Sequence, residues 1–177
     1  ESEICVNGST VITAEATGWN NADVNYNWNN GFQGSVYTFV PDSAAAYTFT
    51  VTASQATSGC EAVASITINV NEVPATPVVV VDNATICDGG QVTLTVTNPV
   101  AGATYTWYSN GTVISNANQA TLTQSPVTVD GDATNYVYTV VAQLPNSGCV
   151  SEMSANTVVA VIPAPVAGVS VEGNTTV

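Results

Sequence analysis

Two stretches decide the reading: Glu3–Ala14, "EICVNGSTVITA", and Thr85–Val96, "TICDGGQVTLTV". Each has an apolar residue, a Cys, a Gly three positions on, and then alternating apolar and polar residues. Alternation at period two belongs to a strand with one face buried. The same sentence written twice marks an internal repeat. Further pairs fall in the same order along the chain. Tyr26-Asn27-Trp28 recurs as Tyr105-Thr106-Trp107, and Tyr47 to Val51 recurs as Tyr136 to Val140. Ser58-Gly59-Cys60 recurs as Ser147-Gly148-Cys149, and Val73-Pro74-Ala75 as Ile162-Pro163-Ala164. The first Cys recurs 82 positions on (5 to 87) and the second 89 positions on (60 to 149), so the second copy is longer in its middle. After Pro165 a third copy begins, with Val171 to Val177 resembling Val81 to Ile86.

The repeats set the expected domains. Residues 1–73 form one module, 74–77 a Pro-bearing linker and 78–162 a second module. Residues 163–177 form a further linker and the start of a third. A unit of this length holds one small core. Pro74 and Pro77 restrict the backbone between the two complete modules, and so short a linker leaves little slack. The modules are therefore expected end to end.

Composition narrows function. The chain has 177 residues, with no Lys, no Arg and no His, and its formal net charge is −13. Nucleic-acid binding rests on cations that neutralise phosphate, and the chain has none. Anionic lipid surfaces repel it for the same reason. The most apolar stretch, Val158 to Val169, is broken by Pro163 and Pro165, so no direct membrane insertion is expected. Four Cys in repeat-matched positions, with no C-x-x-C and no His, point to disulfides and an oxidising compartment.

Short β-branched runs bounded by Gly, Asn, Asp and Pro read as strands. In the first repeat these are centred on Thr10–Ala14, Val24–Trp28, Val36–Val40, Tyr47–Ala53 and Ile66–Val70. In the second they are Val92–Val96, Tyr105–Trp107, Thr121–Thr123, Tyr136–Val140 and Thr157–Val161. With a core-type Trp on the third strand, this is an all-β chain of tandem immunoglobulin-like sandwiches. The usual inter-sheet cysteine positions are apolar here. Cys5 and Cys87 instead precede the first core strand, and Cys60 and Cys149 begin the last. One disulfide per module, Cys5–Cys60 and Cys87–Cys149, would staple the first edge strand to the last. Cys60–Cys87 across the linker is the other pairing weighed.

The ordered set "ICxG", "YxW" with a following Asn-Gly, "YT", "SGC" and a Pro-Ala linker resembles the CHU_C-associated type of Ig-like repeat. That repeat occurs in the Bacteroidota in type IX secreted surface adhesins, gliding-motility adhesins among them. The resemblance implies an extracellular or cell-surface location, a tandem array, and an adhesive or structural role in a filament. Neighbouring repeats of the same array would be its partners, with a surface polysaccharide or other cell-surface ligand. It supplies no ligand site.

Other residues were weighed one by one. Catalysis has no His, Lys or free thiol to draw on, and the nearest carboxylates, Asp130 and Asp132, read as an acidic turn. That turn resembles an Asp-to-Tyr corner, Asp132 with Tyr136. An enzyme is not expected. No cofactor is expected either; calcium is the one cation to consider, with Asp130 and Asp132, or Asp82 with Asp88, as oxygen donors. Trp28 and Trp107 read as packing. Trp19, in the polar loop "TGWNNADVN", is the candidate glycan contact, against the reading of a loop anchor. Asn7, Asn83, Asn110 and Asn174 stand in N-x-S/T sequons. Ser43, in Asp42-Ser43-Ala44, matches an O-glycosylation signal. The expected function is a disulfide-clamped, protease-resistant adhesive stalk; the competing one is an accessory carbohydrate-binding module of a secreted protein.

Overall fold

The computed structural model describes residues 3–19 and 23–165, and is all-β, with no α-helix among the described residues. Residues 20–22 of the Trp19 loop, Asn174 and the third-copy segment from Val166 lie outside them. Two compact units form: Glu1–Ala75 with Gln143–Ser151, and Thr76–Ala142 with Glu152–Val177.

The first unit contains β1 (Glu3–Cys5), β2 (Thr10–Thr13), β3 (Val24–Trp28), β4 (Val36–Phe39), β5 (Ala46–Gln55) and β6 (Glu61–Asn71). One sheet runs in the order β1-β6-β5-β3, and β2 pairs with β4. The second unit contains β7 (Val79–Val81), β8 (Thr85–Cys87), β9 (Val92–Val96), β10 (Thr104–Ser109) and β11 (Thr112–Val113). It continues with β12 (Thr121–Gln124), β13 (Thr134–Gln143) and β14 (Thr157–Ile162). Its sheets run β11-β10-β13-β14-β8 and β12-β9-β7. The six strands of the first unit thus correspond in order to β8, β9, β10, β12, β13 and β14. The plan is the two-sheet antiparallel arrangement of an immunoglobulin-like sandwich, with one parallel pair, β1 on β6 and β8 on β14.

Alternation built these strands as the sequence implied. Val92, Leu94 and Val96 point inward from β9 while Thr93 and Thr95 are partly exposed. Phe49, Val51 and Ala53 do the same from β5. Trp28 and Trp107 are core residues, and each indole N–H donates to a backbone carbonyl 2.8 Å away, of Gly34 and Gln119 respectively. That satisfies the only polar atom of a side chain otherwise held in apolar surroundings.

The repeated Cys-x-x-Gly has a steric cause. After β1 and β8 the chain reverses through a tight turn, in which Gly8 and Gly90 donate to the carbonyls of Cys5 and Cys87 at 2.9 and 2.8 Å. A Cβ on either glycine would lie 2.9 Å from that same carbonyl oxygen, so no other residue fits without displacing backbone. The Asn110-Gly111 hairpin between β10 and β11 has φ of 48° and 78°, the left-handed pair that a two-residue reversal requires.

Candidate functional site

The disulfide is the first correction. It joins Cys5 to Cys149, inside the first compact unit, and Cys60 and Cys87 are free and exposed. The expected pairs, Cys5–Cys60 and Cys87–Cys149, are not formed. The reason is strand direction. The first and last strands of each repeat are indeed neighbours, but β1 runs parallel to β6, with Cys5 opposite Asn71 at the far end of that strand. Cys60 precedes its near end. Eleven residues of strand separate them, roughly 35 Å at about 3.3 Å per residue, whereas a disulfide requires Cα atoms within about 7 Å. Cys87 lies opposite Ile162, at the far end of β14 from Cys149, so the second expected pair fails in the same way. The cross-linker alternative, Cys60–Cys87, is not formed either.

The tyrosine corner is the second correction. The Tyr136 hydroxyl donates to the carbonyl of Val127 at 2.9 Å, not to Asp132. In the first unit Tyr47 donates to the carbonyl of Ser43 at 3.1 Å, and its hydroxyl also meets the Ser43 hydroxyl at 2.8 Å. Ser43 is exposed and further bonded to Asp42.

The carboxylates weighed for calcium have other work. Asp88 accepts from both the amide and the hydroxyl of Thr128. Asp82 accepts from the amides of Thr93, at 2.9 Å, and Asn83, at 2.7 Å. Asp130 sits at φ 55° in the turn closed by Val129 and Asp132. Among the described residues no three acidic or Cys side chains gather where a metal could sit. Asn7 and Asn110 hold left-handed turn positions, and both, like Asn83, are exposed.

The amide of Thr93 holds the Asp82 carboxyl below the usual carboxylate range, with Asn83 adding to it. A lowered folded-state value means the charged form is favoured by folding. Its contribution is present above the unfolded value and is lost as pH falls through the folded one. Asp82→Asn is therefore expected to be less stable than the parent near neutral pH, with the gap closing on acidification. Melting curves across the carboxylate range check this, and a gap that widens at low pH would refute it.

Trp19 is half-buried and packs on the first unit's core. Its loop is tied down by the amide of Ala16, which donates to the buried Tyr26 hydroxyl at 3.0 Å. In the second unit the amide of Val100 makes the same bond to Tyr105, so this tether is part of the repeat.

One site was not legible from the sequence. A cavity of about 330 Å3 opens in the first unit between Ile12–Ala16 and Ala62–Ile66. Its floor is the core itself: Tyr26, Trp28, Phe49, Val51 and Ala53. One edge of β2 bonds to β4, and among the described residues no strand pairs with its other edge, which runs along this cavity. At the repeat offset of 82 the counterpart of Val79–Val81, the strand beside β9, falls before Glu1.

The family model for the CHU_C-associated Ig-like domain matches residues 74–163, just over half of the chain. The chain belongs to that family. No curated protein matches it. Among solved structures it is similar to murine CEACAM1b, at TM-score 0.48 and 13% identity, covering 91% of this chain and 96% of that one. It is also similar to the fibronectin(III)-like modules of Clostridium thermocellum CbhA, at TM-score 0.48 and 12% identity, covering 97% and 95%. The ICAM-5 D1–D4 ectodomain fragment matches at TM-score 0.48 and 11% identity, covering 92% and 46%.

Proposed function

We propose that this chain is a structural and adhesive segment of a large repetitive extracellular protein, a tandem of Ig-like modules acting as a stalk. The observation that carries the reading is the strand plan written twice, in a chain of the CHU_C-associated family whose only charges are acidic. A spacer needs rigid repeated units and a surface that does not stick to its neighbours. Uniform negative charge keeps copies apart, salt screens the repulsion, and the absence of Lys and Arg removes every trypsin-type cleavage site. Such repeats suit a cell surface, and membership of gliding-motility adhesins or of other type IX cargo is the finer form of the proposal. Digestion of the oxidised native chain with chymotrypsin or elastase tests it. Slow cleavage is expected, and rapid cleavage of the folded chain would leave a softer binding module as the better account.

The accessory glycan-binding reading depends on Trp19. A Trp packed on its own core is an anchor first. Trp19→Ala is expected to lower the first unit's stability by about 1–2 kcal/mol, less than the 3–5 of a fully buried Trp. On glycan arrays the two proteins are expected to give the same profile. Glycan binding by the parent that vanishes in the variant would revive the alternative.

A further inference from the structure

Both cysteine settings of this chain are built twice. Cys60 and Cys149 stand in matched loops. Gly59 and Gly148 take left-handed φ of 70° and 71°. Their amides donate to the carbonyls of Gln55 and Leu144 at 2.9 and 2.8 Å. In return the amides of Gln55 and Leu144 donate to the carbonyls of Cys60 and Cys149 at 2.9 and 3.0 Å. The cysteine amides donate to the hydroxyls of Ser58 and Ser147 at 3.2 and 3.3 Å. Ser54 faces Glu61 across one loop as Gln143 faces Val150 across the other. Cys5 and Cys87 are matched as closely. Each lies beside the last residue of its parallel neighbour, Asn71 or Ile162. The following residue, Val6 or Asp88, donates to that residue's carbonyl at 3.0 or 2.9 Å. The next, Asn7 or Gly89, donates to the carbonyl of Pro41 or Pro126 at 2.9 or 3.3 Å.

One member of each matched pair is bonded and the other is not. In the first compact unit Cys5, on an opening strand, meets Cys149, on the Ser-Gly-Cys loop of the other repeat. The disulfide therefore runs from repeat to repeat, and strand direction forbids it within one. Bonding goes with burial. Cys149 is 1% exposed and Cys5 is half-buried, whereas their counterparts Cys60 and Cys87 are exposed. Cys87 thus presents the setting that Cys5 uses, and Cys60 the setting that Cys149 uses. Disulfide geometry is narrow, so a backbone that aims a sulfur at one bond aims its copy at the same bond.

We propose that Cys87 of one copy and Cys60 of a second copy form the disulfide that Cys5 and Cys149 form within one copy, joining copies head to tail. The contact is heterologous, an opening-strand cysteine against a Ser-Gly-Cys loop, so it propagates from copy to copy. The oxidant is a small disulfide such as glutathione disulfide. The Cys87 thiolate attacks it, forming a mixed disulfide and releasing one glutathione. The Cys60 thiolate of the second copy then attacks the Cys87 sulfur and releases the other. Two protein thiols and one glutathione disulfide become one protein disulfide and two glutathione thiols, which carry away both electrons and both protons. Each copy has a net charge of −13, so like charge opposes the approach and salt should speed it. The proposal goes beyond the stalk reading and does not depend on it, since it concerns how repeats are joined and not protease resistance.

The test uses three proteins: the parent chain, Cys60→Ser and Cys87→Ser. Both substitutions fall on exposed side chains. Each protein is incubated with glutathione disulfide at neutral pH and added salt, quenched by alkylation, and run on non-reducing gels. The parent is expected to give a ladder of dimers and higher multimers that reductant collapses. Each variant alone should end as a monomer carrying one glutathione, read by mass. Mixed, the two should give a one-to-one dimer and nothing larger, because that dimer keeps no further pair of thiols. Peptic mapping at acid pH, where thiolate exchange is suppressed, should find Cys60 peptides joined to Cys87 peptides. A parent that stays monomeric with both thiols capped would overturn the proposal. So would Cys60 closing on Cys87 within one chain. Variants that dimerise alone as fast as they do mixed would also overturn it, because unselective oxidation would then account for the multimers.

Discussion

Reducing Cys5–Cys149 is expected to produce the largest loss of stability that any single bond in this chain can give. The bond joins residues 144 apart, almost the length of the chain. In the chain-entropy account a loop of that size corresponds to about 5 kcal/mol, an upper bound because unfolded chains retain structure. For a unit of about a hundred residues, 1 kcal/mol moves the midpoint by about 4–8 °C, so a drop of about 20–40 °C is the expected ceiling. Scanning calorimetry with and without reductant measures it. A Cys60→Ser, Cys87→Ser double variant serves as the background, so that chemistry at the free thiols does not enter. Exposure gives a second readout. Cys149 is 1% exposed whereas Cys60 and Cys87 are exposed. Alkylation of the native chain should therefore modify Cys60 and Cys87 quickly and leave the bond intact. An unchanged midpoint, or peptide mapping that finds Cys5 joined to Cys60, would refute the assignment.

That pairing also shows where sequence reasoning stops. The strands centred on Trp28 and Trp107 were legible because period-two alternation is local: each residue's face follows from its neighbours. The Cys-x-x-Gly turn was legible as a repeated motif, though its cause, a carbonyl too close for a Cβ, is a matter of three dimensions. Whether β1 runs with or against β6 leaves no trace in alternation, since both directions bury the same residues. A disulfide is decided by that direction, because it determines which end of β6 Cys5 meets. The Tyr136 corner failed similarly. Its hydroxyl reaches a backbone carbonyl, an acceptor every residue carries, so no side-chain type marks the partner. The β2 edge was hidden for another reason. Ile12 and Leu94 look alike in sequence, and what separates them is whether a strand lies alongside.

Trp107→Ala should cost about 3–5 kcal/mol, the usual range for a buried Trp, which is a large part of the about 5–15 kcal/mol available to a whole domain. Trp107 is 0% exposed, and its indole N–H is bonded to the Gln119 carbonyl at 2.8 Å. Truncation opens a cavity in a sealed core and leaves that carbonyl without its donor. Trp107→Phe separates the two effects: most of the ring volume stays, and the lost bond alone should cost about 1–2 kcal/mol. Trp28 provides the internal comparison. It holds the same repeat position and makes the same bond, to Gly34 at 2.8 Å, but lines the cavity beside β2. Neighbours next to open space can collapse into part of the vacated volume, and water can enter the rest. Trp28→Ala is therefore expected to destabilise its unit less than Trp107→Ala does its own. Urea denaturation followed by hydrogen exchange of each unit's core strands gives both values. An equal or greater loss at Trp28 would mean that the core beside β2 is as tightly closed as the core beside β9.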